Sequence, residues 1–195
     1  MAGETANSNE IVVPTTTRVW LAKVGTVAPA DATVAMPAGW RAVGLTTEDS
    51  LKFNSEPSFE TVRSAQSSYP TRTFQTQDAS TIEVDLQQWS GANFRAVYGG
   101  GEITEITATG NKKHYRFVPP RQGGRTETAA CIEVIDGGKH YRYVIPRAMQ
   151  MEGVSKDMTK TKESTLPLRL AVQGEDEADP WYTITDDPAF APTAD

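Results

Sequence analysis

The chain has 195 residues, of which 38% are hydrophobic and 23% charged, with 15 glycines and 12 prolines. This length and composition suit one domain with a hydrophobic core and many turns. No apolar run approaches the roughly 20 residues of a transmembrane helix, and the first residues, "MAGETANSNE", lack the basic and apolar regions of a signal peptide. We therefore expect a protein that is made and kept in a cytoplasm and has no membrane partner.

Acidic residues are concentrated near the C-terminus. The formal net charge is -6, but residues 175–195 hold seven carboxylates and neither Lys nor Arg. The rest of the chain, with 18 acidic and 19 basic residues, is nearly neutral. A high-affinity nucleic-acid-binding protein typically has a basic body, so that function is not expected. The seven acidic residues are Glu175, Asp176, Glu177, Asp179, Asp186, Asp187 and Asp195.

The first part of the chain predicts short strands separated by irregular segments. Residues 1–17 are polar and predict an extended N-terminal arm, and 18–25 predict the first strand. The Ala- and Pro-rich segment 26–39 predicts a long loop. Two further strands are expected at 40–47 and 51–56, around a turn at 48–50.

Two runs of alternating residues, 71–77 and 81–86, predict a hairpin with a turn at 78–80. Ile82, Val84 and Leu86 share one face of the second run, as in a half-buried strand. The other face of this hairpin is polar throughout. It carries Thr71, Thr73, Gln75, Gln77, Thr81, Glu83 and Asp85.

One short helix is predicted at about 90–98. Ser90 is a suitable N-cap, and Phe94, Val97 and Tyr98 have the spacing of one helix face. The three glycines at 99–101 supply a left-handed stop. A phosphate-binding role for these glycines is disfavoured, because they follow the helix rather than precede it.

The remaining chain predicts more strands, giving about ten in total at the spacing of a β-sandwich. Asp136, Gly137 and Gly138 form a hairpin signal between two of them. We therefore expect a mainly β sandwich over 18–174 with one flanking helix, extended arms and loops, and an acidic C-terminal segment, 175–195, with a last strand at 181–185. The further strands are at 102–109, 114–120, 128–135, 140–146 and 166–172.

A local repeat relates "KHYRFVPPR" (113–121) to "KHYRYVIPR" (139–147). In one interpretation these are two similar strands whose aromatic residues, Tyr115, Phe117, Tyr141 and Tyr143, pack inward. In the other, the cationic residues form a strip that docks an acidic surface of a neighbouring copy, such as its C-terminal segment. The candidate inter-subunit residues are His114, Arg116, His140, Arg142, Glu175, Asp176 and Glu177.

The sequence offers little support for catalysis or for a cofactor. The Gly-x-Ser-x-Gly elbow is absent, and one cysteine with two histidines disfavours a zinc site. Cys131 lies among apolar residues and is expected to be a buried small hydrophobe. The acidic run at 174–179 lacks the spacing of a calcium loop. We expect no enzyme activity, no metal and no cofactor.

An ordered series of motifs runs from Trp40 to Gly101. It contains a Thr-Glu-Asp turn, a strand with Phe53, the segment 60–63, a Tyr-Pro-x-Arg strand entry, a Thr-rich hairpin and a helix ending in "AVYGG". In this order the motifs resemble the major tail protein, or tail tube protein, of long-tailed bacteriophages. The resemblance depends on the order of the motifs rather than on any one of them.

The resemblance implies a β-sandwich whose copies form hexameric rings that stack into a hollow tube. The implied partners are further copies of the chain, a tape-measure protein, tail-tip and terminator proteins, and viral DNA in transit without specific binding. The implied location is the virion tail, after synthesis in the host cytoplasm. From their length and low periodicity, we expect ring-to-ring contacts at 1–17, 26–39, 54–70 and the acidic tail.

The polar face of the predicted hairpin is a candidate lumen surface. A neutral-to-acidic face would repel DNA phosphates and let DNA slide, although simple solvent exposure explains the same residues. Two other functions fit the pattern: an immunoglobulin-like binding or decoration module, and a carbohydrate-active enzyme using Glu83 and Asp85 as its carboxylate pair.

Overall fold

The computed structural model describes residues 7–107, 112–174 and 178–192. It is mainly β, with antiparallel sheets in a sandwich-like arrangement and one α-helix in the described part of the chain, which confirms the predicted fold class. By contacts the chain divides into two units. The first comprises the residues up to Gly44, Thr128–Arg147 and the residues from Gly174, and the second comprises Leu45–Glu127 and Ala148–Gln173.

Ten strands and one helix are numbered in chain order. They are β1 (Thr16–Ala22), β2 (Arg41–Ala42), β3 (Lys52–Arg63), β4 (Pro70–Leu86), α1 (Gly91–Val97), β5 (Glu102–Ile106), β6 (His114–Val118), β7 (Glu127–Asp136), β8 (Lys139–Gln150), β9 (Leu166–Val172) and β10 (Tyr182–Thr185).

The first unit is built on strands in the order β2, β1, β7 and β8, with β10 added to β8. β1 and β7 pair antiparallel with Trp20 opposite Cys131. Both strands are rich in β-branched and small apolar residues, which pack well on a pleated sheet. The core includes Val19, Leu21, Ala130, Cys131, Ile132, Val144 and Ile145.

The second unit contains the end of β8, then β9, β4 and β3, together with the separate β5–β6 pair. The predicted alternation is confirmed at β4 and β9, where Val84 lies opposite Leu168 and both are buried. Neighbouring pairs repeat this arrangement, and buried apolar residues alternate with half-buried residues along 81–86 of β4 and 166–170 of β9. The buried residues are Ile82, Val84, Leu86, Leu166, Leu168 and Leu170.

The predicted turn at 78–80 is wrong, because β4 is one strand of 17 residues. Asp78, with Ala79 and Ser80, pairs with β3, which supplies the ladder hydrogen bonds that keep these turn-forming residues extended. β3 runs to Arg63 rather than ending at 56, so most of 54–70 is strand instead of irregular chain. The hairpin turn lies at 64–69.

The helix prediction is confirmed at both ends of α1. Asn93 N–H donates to Ser90 Oγ at 3.1 Å, so Ser90 is the N-cap. After the helix, Gly99 and Gly101 have φ of 69° and 104°, which disfavours any residue with a Cβ. A Cβ at Gly101 would also lie 2.6 Å from the carbonyl oxygen of Val118, so glycine is required there.

Candidate assembly surfaces

The outer part of the β3–β4 hairpin extends beyond the buried sheet. Every residue of 55–63 and 70–78 is exposed. Since successive side chains of a strand point to opposite faces, both faces of the hairpin are exposed. β3 also ends the strand order, so its outer edge has no partner strand among the described residues. Large apolar side chains lie in the open here: Phe59, Val62, Tyr69 and Phe74.

The predicted lumen-facing residues do not share one face. Gln77 pairs with Ser58 and Gln75 pairs with Phe59. A register shift between these two pairs leaves Thr76 without a residue opposite it on β3. Since Ser58 and Phe59 point to opposite faces, Gln75 and Gln77 do so as well. The register of the remaining pairs places Gln77, Thr81, Glu83 and Asp85 on one face and Thr73 and Gln75 on the other. Thr71 lies at the second register shift.

The two carboxylates of the candidate lumen face share a cationic partner. Arg169 Nη2 lies 2.9 Å from Asp85 Oδ1, and its Nε lies 3.8 Å from Glu83 Oε2. Asn54 Nδ2 donates a further hydrogen bond to Glu83 Oε1 at 3.0 Å. One arginine between two acids leaves a net charge of -1, so this face is less acidic than the strand sequence indicates.

The predicted cationic strip is contradicted at Arg142, which is buried with a side-chain exposure of 4%. Its guanidinium donates to Glu133 Oε1 from Nη2 at 2.7 Å and from Nε at 3.1 Å, and to the Asp31 carbonyl oxygen at 2.8 Å. These bonds occupy the donors within the chain, so Arg142 is not available to a neighbouring copy. Its place in the strip was predicted from the local repeat, which does not reveal a buried carboxylate on the adjacent strand.

His140 is likewise engaged within the chain. Asp186 Oδ1 accepts from its backbone N–H at 2.6 Å, and Asp186 Oδ2 lies 3.0 Å from Nδ1. His114 and Arg116 lie on β6 of the second unit and are exposed. The predicted candidates Glu175, Asp176 and Glu177 lie outside the described residues.

The aromatic residues of the repeat have different environments. Tyr141 is buried as expected, whereas Tyr115 is 63% exposed, contrary to the packing interpretation. Phe117 contacts the rings of Phe94 and Tyr98, and Tyr143 contacts Trp181. Similar sequence in the two copies therefore does not produce similar packing.

The sequence analysis did not predict a cluster that fixes both ends of the described chain to the start of β8. Lys139 Nζ donates to Asp187 Oδ2 at 2.9 Å and to the carbonyl oxygen of Asn9. The Tyr141 hydroxyl donates to the same Asp187 oxygen. We call Lys139, Tyr141, Asp186 and Asp187 the terminal cluster; the Asp-Pro pair at 187–188, a helix-start signal, was the available sequence cue.

The contacts of the terminal cluster shift the pKa of Asp187 and of Tyr141. The Tyr141 hydroxyl, the Ala189 backbone N–H and Lys139 together lower the pKa of Asp187 to about 2. The hydrogen bond to Asp187, with burial, raises the pKa of Tyr141 to about 12. Both shifts preserve the ionised carboxylate and the neutral phenol at neutral pH.

Three further observations concern possible chemistry. Cys131 is buried as predicted, and burial raises the pKa of its thiol to about 12, so the thiolate is scarce at neutral pH. In the second unit, a groove of about 550 Å³ is lined by polar residues that include Asp85, Arg169 and Glu163. Across residues 7–107, 112–174 and 178–192, no three His, Cys, Asp or Glu side chains are grouped as metal ligands.

None of the described helices has the length and apolarity to cross a membrane.

A mainly β subunit with a long sheet-edge hairpin exposed on both faces has the features of a structural protein that forms contacts through its sheet edges and extensions. The family model described as phage tail tube protein matches residues 4–195. The chain therefore belongs to the phage tail tube protein family, with a structural role in the virion tail. The resemblance seen in the sequence motifs is confirmed. No curated protein matches this chain.

Proposed function

We propose that copies of this chain close into rings, with six copies per ring, and that the rings stack into the conduit through which DNA leaves the virion. The family membership supports self-assembly into a tube together with other tail proteins. The single observation that carries the ring proposal is the β3–β4 hairpin, whose outer part is exposed on both faces and bears apolar side chains.

The hairpin has the properties of an element that is completed by another copy. A two-stranded hairpin with no packed face is marginally stable in water, and the open edge of β3 offers unpaired backbone groups. Pairing this edge or covering Phe59 and Phe74 with a neighbouring subunit would remove both problems. In this proposal the hairpin contacts a different surface of the neighbour, so the contact repeats head to tail and can close a ring.

Three other segments are proposed as ring-to-ring contacts. In the N-terminal arm, the adjacent apolar residues Ile11, Val12 and Val13 are exposed, as are Val27 and Val34 in the loop 26–39. Apolar residues that stand in water within an extended segment gain most from burial against a partner. The acidic C-terminal segment is the third, although Asp186 and Asp187 are already engaged in the terminal cluster.

Inter-subunit contact is also proposed for His114 and Arg116, which are exposed on β6. An exposed guanidinium beside an exposed imidazole can dock against a carboxylate-rich surface of a neighbouring copy. Glu175, Asp176 and Glu177 stay candidates for that acidic surface. Arg142 is omitted because it is buried and paired with Glu133, and His140 is omitted because its backbone N–H and Nδ1 already contact Asp186.

The proposed lumen surface is the face that carries Gln77, Thr81, Glu83 and Asp85, with Thr71, Thr73 and Gln75 as less favoured candidates. Its residual negative charge supports the proposal, since repulsion of phosphates lets DNA pass without binding. In this proposal the lumen first holds a tape-measure protein, tail-tip and terminator proteins close the tube, and the subunit is made in the host cytoplasm.

Negative-stain electron microscopy of the concentrated, purified protein tests the assembly proposal. We expect rings or tubes from the native chain and none from a Phe59→Ser, Val62→Ser variant, which removes exposed apolar contacts of the hairpin. Lys52→Ser, at the inner end of the same strand and exposed, is the matched control and should assemble normally. Persistent monomers of the native chain at all concentrations would contradict the proposal and favour a decoration module instead.

A further inference from the structure

Three aromatic rings surround the ammonium group of Lys156. Its Nζ lies 5.0 Å from the ring centroid of Trp89, 5.0 Å from that of Phe94 and 5.4 Å from that of Tyr98. All three distances are within the range of an attractive cation–π contact. The chain therefore presents a cage of three π-faces around a single positive charge.

The cage is held by contacts that do not involve Lys156. Phe94 and Tyr98 are four residues apart at α1 and stack, and Trp89 meets Phe94 edge-on at 5.5 Å. Phe117 of β6 packs against both Phe94 and Tyr98 from another side. The helix and β6 thus fix the rings of Phe94 and Tyr98, and the Trp89 ring is held by Phe94 and by its Nε1 hydrogen bond to the Ser164 carbonyl oxygen.

Lys156 belongs to an irregular segment, 151–165, that connects β8 to β9 and that we call the strap. Most of the strap is exposed, and in its first half only Val154 and Lys156 are half-buried. Its last residues are fixed separately, since Trp89 Nε1 donates to the Ser164 carbonyl oxygen and Gln87 bonds the Glu163 carboxylate. The middle of the strap therefore depends mainly on the caged ammonium.

We propose that Trp89, Phe94 and Tyr98 form a binding site for an alkylammonium group, and that Lys156 is its tethered ligand, which fastens the strap reversibly. The faces of aromatic rings attract cations and do not attract anions, so the site selects positive charge. Replacing the ammonium with a neutral group would free this side chain from the cage and release the middle of the strap, while the sheet beneath stays intact. The site is a property of the single chain and does not depend on tube assembly.

Limited proteolysis of the full chain with thermolysin, which cleaves at apolar residues such as Val154 and Met158, tests the fastening. In Lys156→Gln the strap should be cleaved about tenfold faster, because one set of cation–π contacts is lost. Lys156→Arg keeps the charge and should retain protection, and Lys160→Gln, an exposed lysine of the same strap, is the matched control. Hydrogen exchange of the β4 and β9 amides should stay slow throughout, which also shows that each variant is folded.

A titration with tetramethylammonium chloride tests the site itself, with sodium chloride at equal concentration as the reference. The indole N–H resonance of Trp89 should shift saturably in Lys156→Gln, with a Kd on the order of 10 mM for a site built on cation–π contacts alone. The native chain should shift less, because Lys156 occupies the cage. Adding Tyr98→Leu to Lys156→Gln should weaken the binding.

Three results would overturn the proposal. The first is an equal response of Trp89 to the two salts in Lys156→Gln. The second is a loss of strap protection in Lys156→Arg as large as in Lys156→Gln. The third is a general loss of protection in β4 and β9, which would assign Lys156 to the stability of the whole fold rather than to the strap.

Discussion

Arg142 and Glu133 form a buried ion pair, with Nη2 2.7 Å from Oε1 and side-chain exposures of 4% and 5%. The second carboxylate oxygen of Glu133 accepts from Arg18 Nη1 at 3.1 Å. The Asp31 carbonyl oxygen accepts another Arg142 donor. Such a pair is tolerated in a core because each charge is matched by hydrogen bonds, and it makes each partner necessary to the other.

Glu133→Gln should therefore destabilise the isolated chain strongly. Removing one charge of a buried pair costs about 3–5 kcal/mol, since the other charge stays buried without compensation. Glu105→Gln is the matched control: Glu105 pairs with Lys113 at 3.1 Å on the surface, where an ion pair contributes about 1 kcal/mol or less. Urea unfolding of the two variants measures the difference. Equal losses of stability would show that the buried ion pair contributes no more to the free energy of unfolding than the surface pair does.

Acid should weaken the attachment of the C-terminal segment through Asp187. The pKa of Asp187 in the folded chain is about 2, which is below its unfolded value of about 3.9. A lowered pKa contributes stability that is complete above the unfolded pKa and is lost as the pH falls toward the folded one. We thus expect the melting temperature to fall between about pH 4 and pH 2.

Asp187→Asn supplies the comparison for that pH dependence. The variant should start from a lower melting temperature at pH 7 and should change less between pH 4 and pH 2 than the native chain. Glu10→Gln, which alters an exposed carboxylate in the N-terminal arm, should leave the native pH profile in place. If the melting temperatures of the native chain and of Asp187→Asn fall equally between pH 4 and pH 2, other carboxylates cause the acid sensitivity.

Alternation of apolar and polar residues was sufficient to predict the core strands. Leu166, Leu168 and Leu170 are all buried, as are their partners on β4, because one face of each strand meets the core. Capping chemistry likewise located α1, through Ser90 and the glycines that follow. These signals are local, and a single sequence carries them completely.

The errors arose where pairing between distant segments decided the structure. The turn predicted at 78–80 stays extended because β3 lies beside it, and the register shift at Thr76 divides a polar run between two faces. Arg142 looked like a surface cation because its partner, Glu133, lies on another strand. The terminal cluster joins residues 46 positions or more apart, such as Tyr141 and Asp187. Pairing across that separation leaves no local pattern in the sequence.

The native thiol of Cys131 should be unreactive. Burial raises its pKa to about 12, and only the thiolate is a strong nucleophile, so both access and ionisation oppose alkylation. Iodoacetamide at pH 8 should leave the folded chain unmodified and should modify it fully in urea, as mass spectrometry would show. Rapid modification of the folded chain at one site would contradict the buried position.

Removing residues 1–12 should impair assembly without unfolding the subunit. The deletion takes away the exposed Ile11 and Val12 and the Asn9 carbonyl that accepts from Lys139. It keeps the Val13 N–H bond to Asp136, the Lys139–Asp187 pair and the whole of β1, which starts at Thr16. We expect shorter or fewer tubes in electron micrographs, because the arm is a proposed ring-to-ring contact. Ile11→Ser with Val12→Ser keeps the arm length and separates the loss of apolar surface from the loss of chain. Tubes of native length and yield from both variants would exclude the arm from assembly.

Charge reversal at Glu83 and Asp85 should slow DNA ejection if their face lines the lumen. Two lysines there would join Arg169 and convert a net charge of -1 into +3, so DNA phosphates would be held rather than repelled. Glu83→Gln with Asp85→Asn is the control, since it removes both acids and their ion pairs without adding positive charge. The ejection rate of phage carrying each variant is the measurement, and added salt should relieve the block by screening the attraction. An ejection rate equal to that of the native phage, measured with the reversed charges, would place this face outside the lumen. Equal defects in both variants would indicate that the tail requires the ion pairs with Arg169 and not the sign of the charge.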